Sequence, residues 1–255
     1  MLPTTTRAVL GAADAGYRRH FADAWAPETA RKLAAAGRLV RALDPSFALG
    51  AATRVLDVGC GLGRALAMLG ALGAGHLVGL DDYGDTHDAA PHVARLERMG
   101  ATPVVWDLLA TPWPLEAASL DLVVCFNTLE HLPHGPRPVL AEVRRVLRPG
   151  GIVVLSGPNA LALYKRLYVL VGRTNYPRFD AWWHQVPWRG HVREPAPGEL
   201  RAALERAGFT TVPEIGLDAE LPERLGWRYP LYAAAVALAP SRLGEVLLCA
   251  GRAPG

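Results

Sequence analysis

An acidic residue followed by three closely spaced glycines is the stretch of this chain best suited to binding chemistry. Asp57 precedes Gly59, Gly61 and Gly63, and residues 55–58, which are apolar except for Asp57, are typical of the end of a buried strand. Glycines in a turn between a strand and a helix let backbone N–H groups approach a ligand closely. The spacing G-x-G-x-G differs from the dinucleotide fingerprint G-x-G-x-x-G, and a carboxylate here would repel a diphosphate. The pattern therefore predicts a ligand that carries cationic groups.

Two adjacent acids, Asp81 and Asp82, follow the next short and mainly apolar stretch, residues 76–80. Asp81 lies about twenty residues after the glycine turn, where α/β cofactor sites place the carboxylate that binds ribose hydroxyls. Asp81 is therefore predicted to bind a ribose, and Asp82 could share that role. The alternative is that neither feature binds a ligand: the glycine segment would be only a strand-to-helix turn, and Asp81 only an acid at the end of a strand. This would require the turn, the second strand and its acid to occur in this order by chance.

Five segments, in this order, resemble the class I S-adenosylmethionine-dependent methyltransferases. They are VLDVGCGLG at 55–63, VGLDD at 78–82, VVWDL at 104–108, LDLVVCFN at 120–127 and LRPGG at 147–151. The first segment is specific, and the others are informative mainly because of their order. The resemblance is strong over residues 54–155 and weak from there to residue 254.

The resemblance implies a fold and a cofactor. The fold would be a doubly wound α/β domain with a mostly parallel seven-stranded sheet and an antiparallel last strand, a Rossmann-like arrangement. The cofactor would be S-adenosyl-L-methionine, with Asp107 and the Leu108 backbone at its adenine. The implied cofactor-binding residues are Asp57, Gly59, Cys60, Gly61, Gly63, Asp81, Asp82, Asp107, Leu108 and Asn127. For Asp107 the alternative is a solvated turn residue.

Two histidines are candidate general bases. His131 follows the predicted fourth strand, whose carboxyl end faces the crevice of such a sheet, and histidine titrates near neutral pH. The alternative is that Glu130 and His131 begin a helix and stabilise its first turn. His191 lies in RGHVRE at 189–194, which resembles a substrate-side loop in bacterial methyltransferases of small metabolites and glycans. The alternative is a loop histidine in water.

No metal site is predicted. Some quinone-biosynthesis O-methyltransferases bind a metal through an acid, a second acid three residues later and the adjoining histidine. Glu130 and His131 fill the last two positions, but the first is Asn127, a weak substitute for a carboxylate.

Composition sets the broad class. The chain has 255 residues, of which 51% are hydrophobic and 20% charged, with a formal net charge of +3. This suits one α/β domain with a sizeable core, and the dispersed positive charge predicts no nucleic-acid partner. Lysine occurs only at Lys32 and Lys165, which we interpret as coding bias. The three cysteines form no C-x-x-C pair and are expected to be buried as small hydrophobes. No signal peptide is apparent, so a cytoplasmic enzyme is expected.

The chain is predicted to divide into a helical cap, residues 1–50, and a methyltransferase domain, residues 51–255. A lid or substrate insertion is expected at about 160–197 and an apolar insertion at about 217–243. The apolar run 161–171, with Lys165 and Arg166, could lie on a membrane surface, but core-covering helices are favoured. Packing is likewise favoured for Trp182 and Trp183.

The leading functional hypothesis is methyl transfer to a small-molecule acceptor, with oxygen of a metabolite or glycan favoured. The alternatives are a non-catalytic cofactor-fold binding module and a methyltransferase of a lipid-linked or macromolecular substrate. DNA amino-methylating enzymes carry N/D-P-P-Y/F after the fourth strand, whereas residues 127–130 read NTLE. A nicotinamide-dependent dehydrogenase is disfavoured by the glycine spacing and Asp57. The sequence indicates no oligomeric state.

Overall fold

Strands and helices alternate through the middle of the chain in the computed structural model, which describes residues 2–21, 27–84 and 88–255. The strands are β1 (Arg54–Val58), β2 (His76–Asp81), β3 (Ala101–Val105), β4 (Leu120–Phe126), β5 (Leu147–Pro158), β6 (Thr210–Thr211), β7 (Ile215–Leu217) and β8 (Val246–Arg252). The helices are α1 (Thr6–His20), α2 (Pro27–Leu43), α3 (Arg64–Ala71), α4 (Ala90–Arg98), α5 (Arg137–Val146), α6 (Leu163–Leu170), α7 (Phe179–His184), α8 (Glu199–Arg206), α9 (Leu221–Leu225), α10 (Tyr229–Val236) and α11 (Pro240–Leu243). Short 3-10 turns cover Leu129–His131 and Gly226–Arg228.

The strands form one sheet in the order β3-β2-β1-β4-β5-β8-β6, with β7 also paired to β8. The pairs among β1 to β5 are parallel, and β8 is antiparallel to its neighbours, which confirms the predicted doubly wound fold. The described sheet has eight strands rather than the predicted seven because two short strands, β6 and β7, both pair with β8. Pro213 lies between them and lacks the N–H that a ladder needs.

Both faces of the sheet are covered, which explains the near-continuous apolar character of the central strands. Successive side chains point to opposite faces, so Val55 packs with α2 and α3, whereas Leu56 packs with α5 and α8. Cys60, Cys125 and Cys249 are buried free thiols, as predicted. Among the described residues, no helix has the length and hydropathy needed to cross a bilayer.

The parallel register brings the carboxyl ends of four strands to the same edge. Val58 pairs with Leu80, Asp57 with Val124 and Asp81 with Val105. Ligands of doubly wound sheets bind at this edge. The candidate residues that follow β1, β2, β3 and β4 therefore share one side of the molecule.

Candidate active site

The turn between β1 and α3 needs glycine for two different reasons. Gly59, Gly61 and Gly63 all have positive φ, at 70°, 49° and 77°. A Cβ on Gly59 would lie 2.3 Å from Oγ1 of Thr128, which itself donates to the carbonyl of Val58. A Cβ on Gly61 would meet no atom within 4 Å. The turn is thus closed against β4 at Gly59 and open in front of Gly61.

The N–H groups of this turn bind protein oxygens, which corrects the expectation that they face a ligand. Gly59 and Cys60 donate to the carbonyl of Leu80, and Gly63 donates to that of Cys60. Gly61 N–H donates to Oδ2 of Asp81 at 2.8 Å. These four groups, which would hold a diphosphate in a dinucleotide site, already have acceptors.

Asp57 is a buried carboxyl on the wall of a pocket beside the turn. It is 3% exposed and makes no hydrogen bond with any residue in the described ranges. Burial, with a smaller contribution from the charge of Asp81, raises the pKa of Asp57 to about 8. A cation bound in the pocket would remove this cost of ionisation.

Lys32, on α2, lines the same pocket as Asp57. Within the part of the chain that the structure describes, its ammonium makes no hydrogen bond or ion pair. Burial lowers the pKa of Lys32, and nearby carboxylates, Glu28 first among them, oppose this. One pocket therefore holds an acid and an amine that are not paired with each other. This arrangement suits a zwitterion.

The acids after β2 are held in two different ways. Asp81 accepts hydrogen bonds from the N–H groups of Gly61 and Tyr83, both at 2.8 Å, so it links the glycine turn to the end of β2. Asp82 forms an ion pair with Arg189 at 3.0 Å. Asp81 thus stands at the predicted ribose position, whereas Asp82 holds a segment that is distant in sequence.

The predicted adenine residues follow β3. Asp107 is exposed, and its Oδ1 accepts the N–H of Leu109 within a turn. The Leu108 side chain is buried, and its carbonyl accepts Nε1–H of Trp113 at 3.0 Å. The adenine role of both residues stays a prediction.

The turn after β4 carries a buried acid without a partner. Asn127 has a φ of 54° and accepts a hydrogen bond from Oγ of Ser156. Glu130 is 1% exposed, near the amide of Asn127, yet neither of its oxygens is in hydrogen-bonding geometry with a described residue. Burial raises the pKa of Glu130 to about 7.

The structure brings the two predicted histidines together at this turn. Their rings lie edge to face with centroids 4.8 Å apart. Nδ1 of His131 lies 2.8 Å from the carbonyl oxygen of Arg189, so Nδ1–H donates to that carbonyl. Nδ1 of His191 lies 2.9 Å from Oε1 of Glu194, and this hydrogen bond raises the pKa of His191. His131 is therefore suited to accept a proton, and His191 to donate a hydrogen bond.

Residues 189–194 form a strap between the end of β2 and the end of β4. Arg189 holds Asp82, and the N–H of Val192 donates to the carbonyl of Glu130 at 2.7 Å. Glu194 bonds both His191 and the buried Lys165. Burial favours neutral Glu194, but these two hydrogen bonds outweigh it, so the pKa of Glu194 lies below its usual value. The strap thus positions His191 beside His131.

The comparison with protein families gives one direct match. A family model described as a methyltransferase domain matches residues 17–214. The chain belongs to this methyltransferase family. The donor of the family, S-adenosylmethionine, appears in the names of similar proteins.

Two relatives and one solved structure illustrate the similarity of this methyltransferase to known proteins. The ubiquinone biosynthesis O-methyltransferase of Aromatoleum aromaticum is 35% identical over 66% of this chain and 68% of its own. The tRNA U34 carboxymethyltransferase of Methylococcus capsulatus is 34% identical over 66% of this chain and 48% of its own. The chain spans about half the length of the first relatives it matches.

Among solved structures, an S-adenosylmethionine-dependent methyltransferase from Mesorhizobium loti superposes with a TM-score of 0.55. It is 22% identical, over 83% of this chain and 95% of its own. At this level of sequence identity, the structural similarity supports a shared fold and nothing further.

The site residues of this methyltransferase fit S-adenosylmethionine. The amino-acid end of the cofactor carries an ammonium and a carboxylate, which match the unpaired Asp57 and Lys32. Gly61 leaves open space in the same turn, whose N–H groups are used internally. A ligand with cationic groups and no phosphate suits this chemistry better than a dinucleotide does.

Four residues that shape the site were not selected from the sequence: Lys32, Glu130, Lys165 and Arg189. The two lysines carried a signal. They are the only lysines in a chain rich in arginine, and both lie at the site rather than reflecting coding bias alone. Glu130 was considered as part of a helix turn and as the second acid of a metal motif, and Arg189 only as part of a loop motif.

Glu130, His131 and His191 also form a group with potential metal-ligand atoms within 4.8 Å of one another. The prediction of no metal site stays a prediction.

Proposed function

We propose that this methyltransferase moves a methyl group from S-adenosylmethionine to a hydroxyl oxygen of a small metabolite or glycan. The observation that carries the proposal is the pairing of His131 with His191 at the carboxyl end of β4, where their rings lie edge to face with centroids 4.8 Å apart. A hydroxyl acceptor needs such a base to remove its proton. The name of the Aromatoleum relative, an O-methyltransferase, supports oxygen.

The cofactor roles follow from the pocket chemistry. Asp57 binds the ammonium of the cofactor and Lys32 its carboxylate, while Asp81 accepts the ribose hydroxyls. Asp107 and the Leu108 backbone take the adenine. When bound, S-adenosylmethionine supplies an activated methyl group on a sulfonium.

Several further residues complete the proposed cofactor site. Gly59, Cys60, Gly61 and Gly63 shape the turn against it, and Asn127 holds the end of β4 through Ser156. Asp82 acts through Arg189, because their ion pair fixes the strap over this side of the site.

The acceptor side works by proton transfer and exclusion of water. His131 takes the hydroxyl proton, and His191 donates a hydrogen bond that orients the acceptor. Glu130, with a pKa of about 7, changes charge near neutral pH, and, together with the hydrogen bond to Glu194, its charge raises the pKa of His191. Holding the acceptor in line with the donor can lower the activation free energy by about 7–11 kcal/mol.

The test begins with methyl-labelled cofactor and the small-molecule fraction of a cell extract, from which the labelled product is identified. His131→Asn is then compared with His134→Asn, which changes a nearby exposed histidine. We expect His131→Asn to lower kcat about 10²- to 10⁴-fold with unchanged affinity for S-adenosylmethionine. The matched variant should retain full turnover. An undiminished kcat in His131→Asn would refute the role of the base.

Nucleic acid is a second candidate acceptor, because the Methylococcus relative is named for a tRNA reaction. Label that enters the RNA fraction and no small molecule would favour it. Absence of S-adenosylhomocysteine with every extract fraction would favour a binding module without turnover.

A further inference from the structure

The segment between the buried Lys165 and the strap is exposed without interruption. Residues 166–187, here named the exposed arm, include the last turn of α6 and all of α7, and each of them is exposed. Ten of them are large and apolar, with exposed fractions from 38% at Tyr168 to 90% at Val186. The favoured interpretation of α6 as a core-covering helix was therefore wrong, because its only buried residue is Lys165.

The apolar residues of the exposed arm surround the end of α6. Leu167 to Val171 are five consecutive residues, and five positions pass more than once around a helix. No single face of the protein could cover them all. A run of this length on a surface indicates an interaction site. Trp182 and Trp183, expected to pack, are 55% and 64% exposed and contact Phe179.

The charges of the arm select the kind of partner. Its arginines are Arg166, Arg173 and Arg178, and its one acid is Asp180. Arginine attracts anionic lipid headgroups, and tryptophan and tyrosine prefer the boundary between headgroups and acyl chains. A second copy of the chain, joined around a two-fold axis, would instead bring the same arginines toward one another.

We propose that the exposed arm docks this methyltransferase on the surface of a membrane that contains anionic lipids. The end of α6 and the rings of α7 enter the boundary region, and the three arginines bind headgroups. Lys165, paired with Glu194, anchors the start of the arm to the strap.

Flotation with lipid vesicles tests the docking surface. Phosphatidylcholine vesicles are compared with vesicles that also contain about one-third phosphatidylglycerol. We expect the protein to float with the mixed vesicles only, and less so as salt is raised. Arg173→Glu with Arg178→Glu should weaken binding more than about 25-fold. Leu170→Ser with Trp183→Ser should abolish flotation at low salt as well.

A control pair separates the arm from the net charge of the protein. Arg41→Glu with Arg206→Glu makes the same change in charge at exposed sites on α2 and α8 and should leave binding within about twofold. Equal loss in this control, or no flotation of the unchanged protein, would overturn the proposal. A dimer that Leu170→Ser with Trp183→Ser dissociates, without vesicle binding, would assign the arm to a second copy. Calorimetry with S-adenosylmethionine on each variant tests the proposed function separately.

Discussion

Replacement of Asp57 by asparagine should make the cofactor-free protein more stable and bind its cofactor less tightly. The carboxyl has a pKa of about 8 instead of 3.8. Between pH 3.8 and about pH 8 the Asp57 carboxyl is protonated in the folded state but ionised in the unfolded state. The free energy of unfolding therefore falls as the pH rises through this range. At pH 7 this costs the fold about 4 kcal/mol, a cost that an amide does not incur.

We therefore expect Asp57→Asn to raise the free energy of unfolding by about 2–4 kcal/mol at pH 7, because the buried amide keeps part of the desolvation cost. The melting temperature should rise by about 5–15 °C. The difference in the free energy of unfolding between Asp57→Asn and the unchanged protein should grow by about 2 kcal/mol between pH 6 and pH 8. Asp180→Asn, an exposed acid, should show neither effect.

Calorimetry supplies the second half of the test. Loss of the charge-assisted contact should lower the affinity for S-adenosylmethionine by about 10- to 150-fold. In the unchanged protein the affinity should rise with pH up to about 8, since binding requires ionised Asp57. An Asp57→Asn variant with unchanged stability at pH 8, or with undiminished cofactor affinity, would refute the reasoning.

Three other predictions concern the same site. Lys32→Met should lower the affinity for S-adenosylmethionine about 10- to 150-fold while adenosine, which lacks the amino-acid end, binds as before in parallel titrations. Gly59→Ala should destabilise the fold by about 1–3 kcal/mol more than Gly61→Ala in chemical unfolding, because only its Cβ meets Thr128, whereas Gly61→Ala should mainly weaken cofactor binding. A chelator should leave turnover unchanged, because Asn127 stands where the metal motif has its first acid; loss restored by added Mg²⁺ would contradict this.

The parts of the site that depend on short-range pattern could be predicted from the sequence. Asp57, the glycine turn and Asp81 belong to one strand–turn–helix–strand unit, whose geometry follows from residue types and spacing. The order of five such segments predicted the sheet as well. Only the number of strands differed, because Pro213, which cannot pair, separates β6 from β7.

The parts that depend on distant contacts could not be predicted. Lys32 reaches the pocket from α2, and Arg189 reaches Asp82 from the strap, so neither contact has a local pattern. The use of the glycine-turn N–H groups depends on Leu80 and Asp81. The apolar run that forms α6 predicted a helix packed on the protein core, but an apolar sequence does not indicate whether protein or lipid contacts the helix.

The central claim is that Asp57 and Lys32 hold the amino-acid end of a sulfonium cofactor beside a turn in which the N–H groups of Gly59, Cys60, Gly61 and Gly63 already bind protein oxygens. Parallel calorimetric titrations of the unchanged protein with S-adenosylmethionine and with NAD test it most directly. We predict saturable binding of S-adenosylmethionine and none of NAD. Binding of NAD without binding of S-adenosylmethionine would contradict the claim.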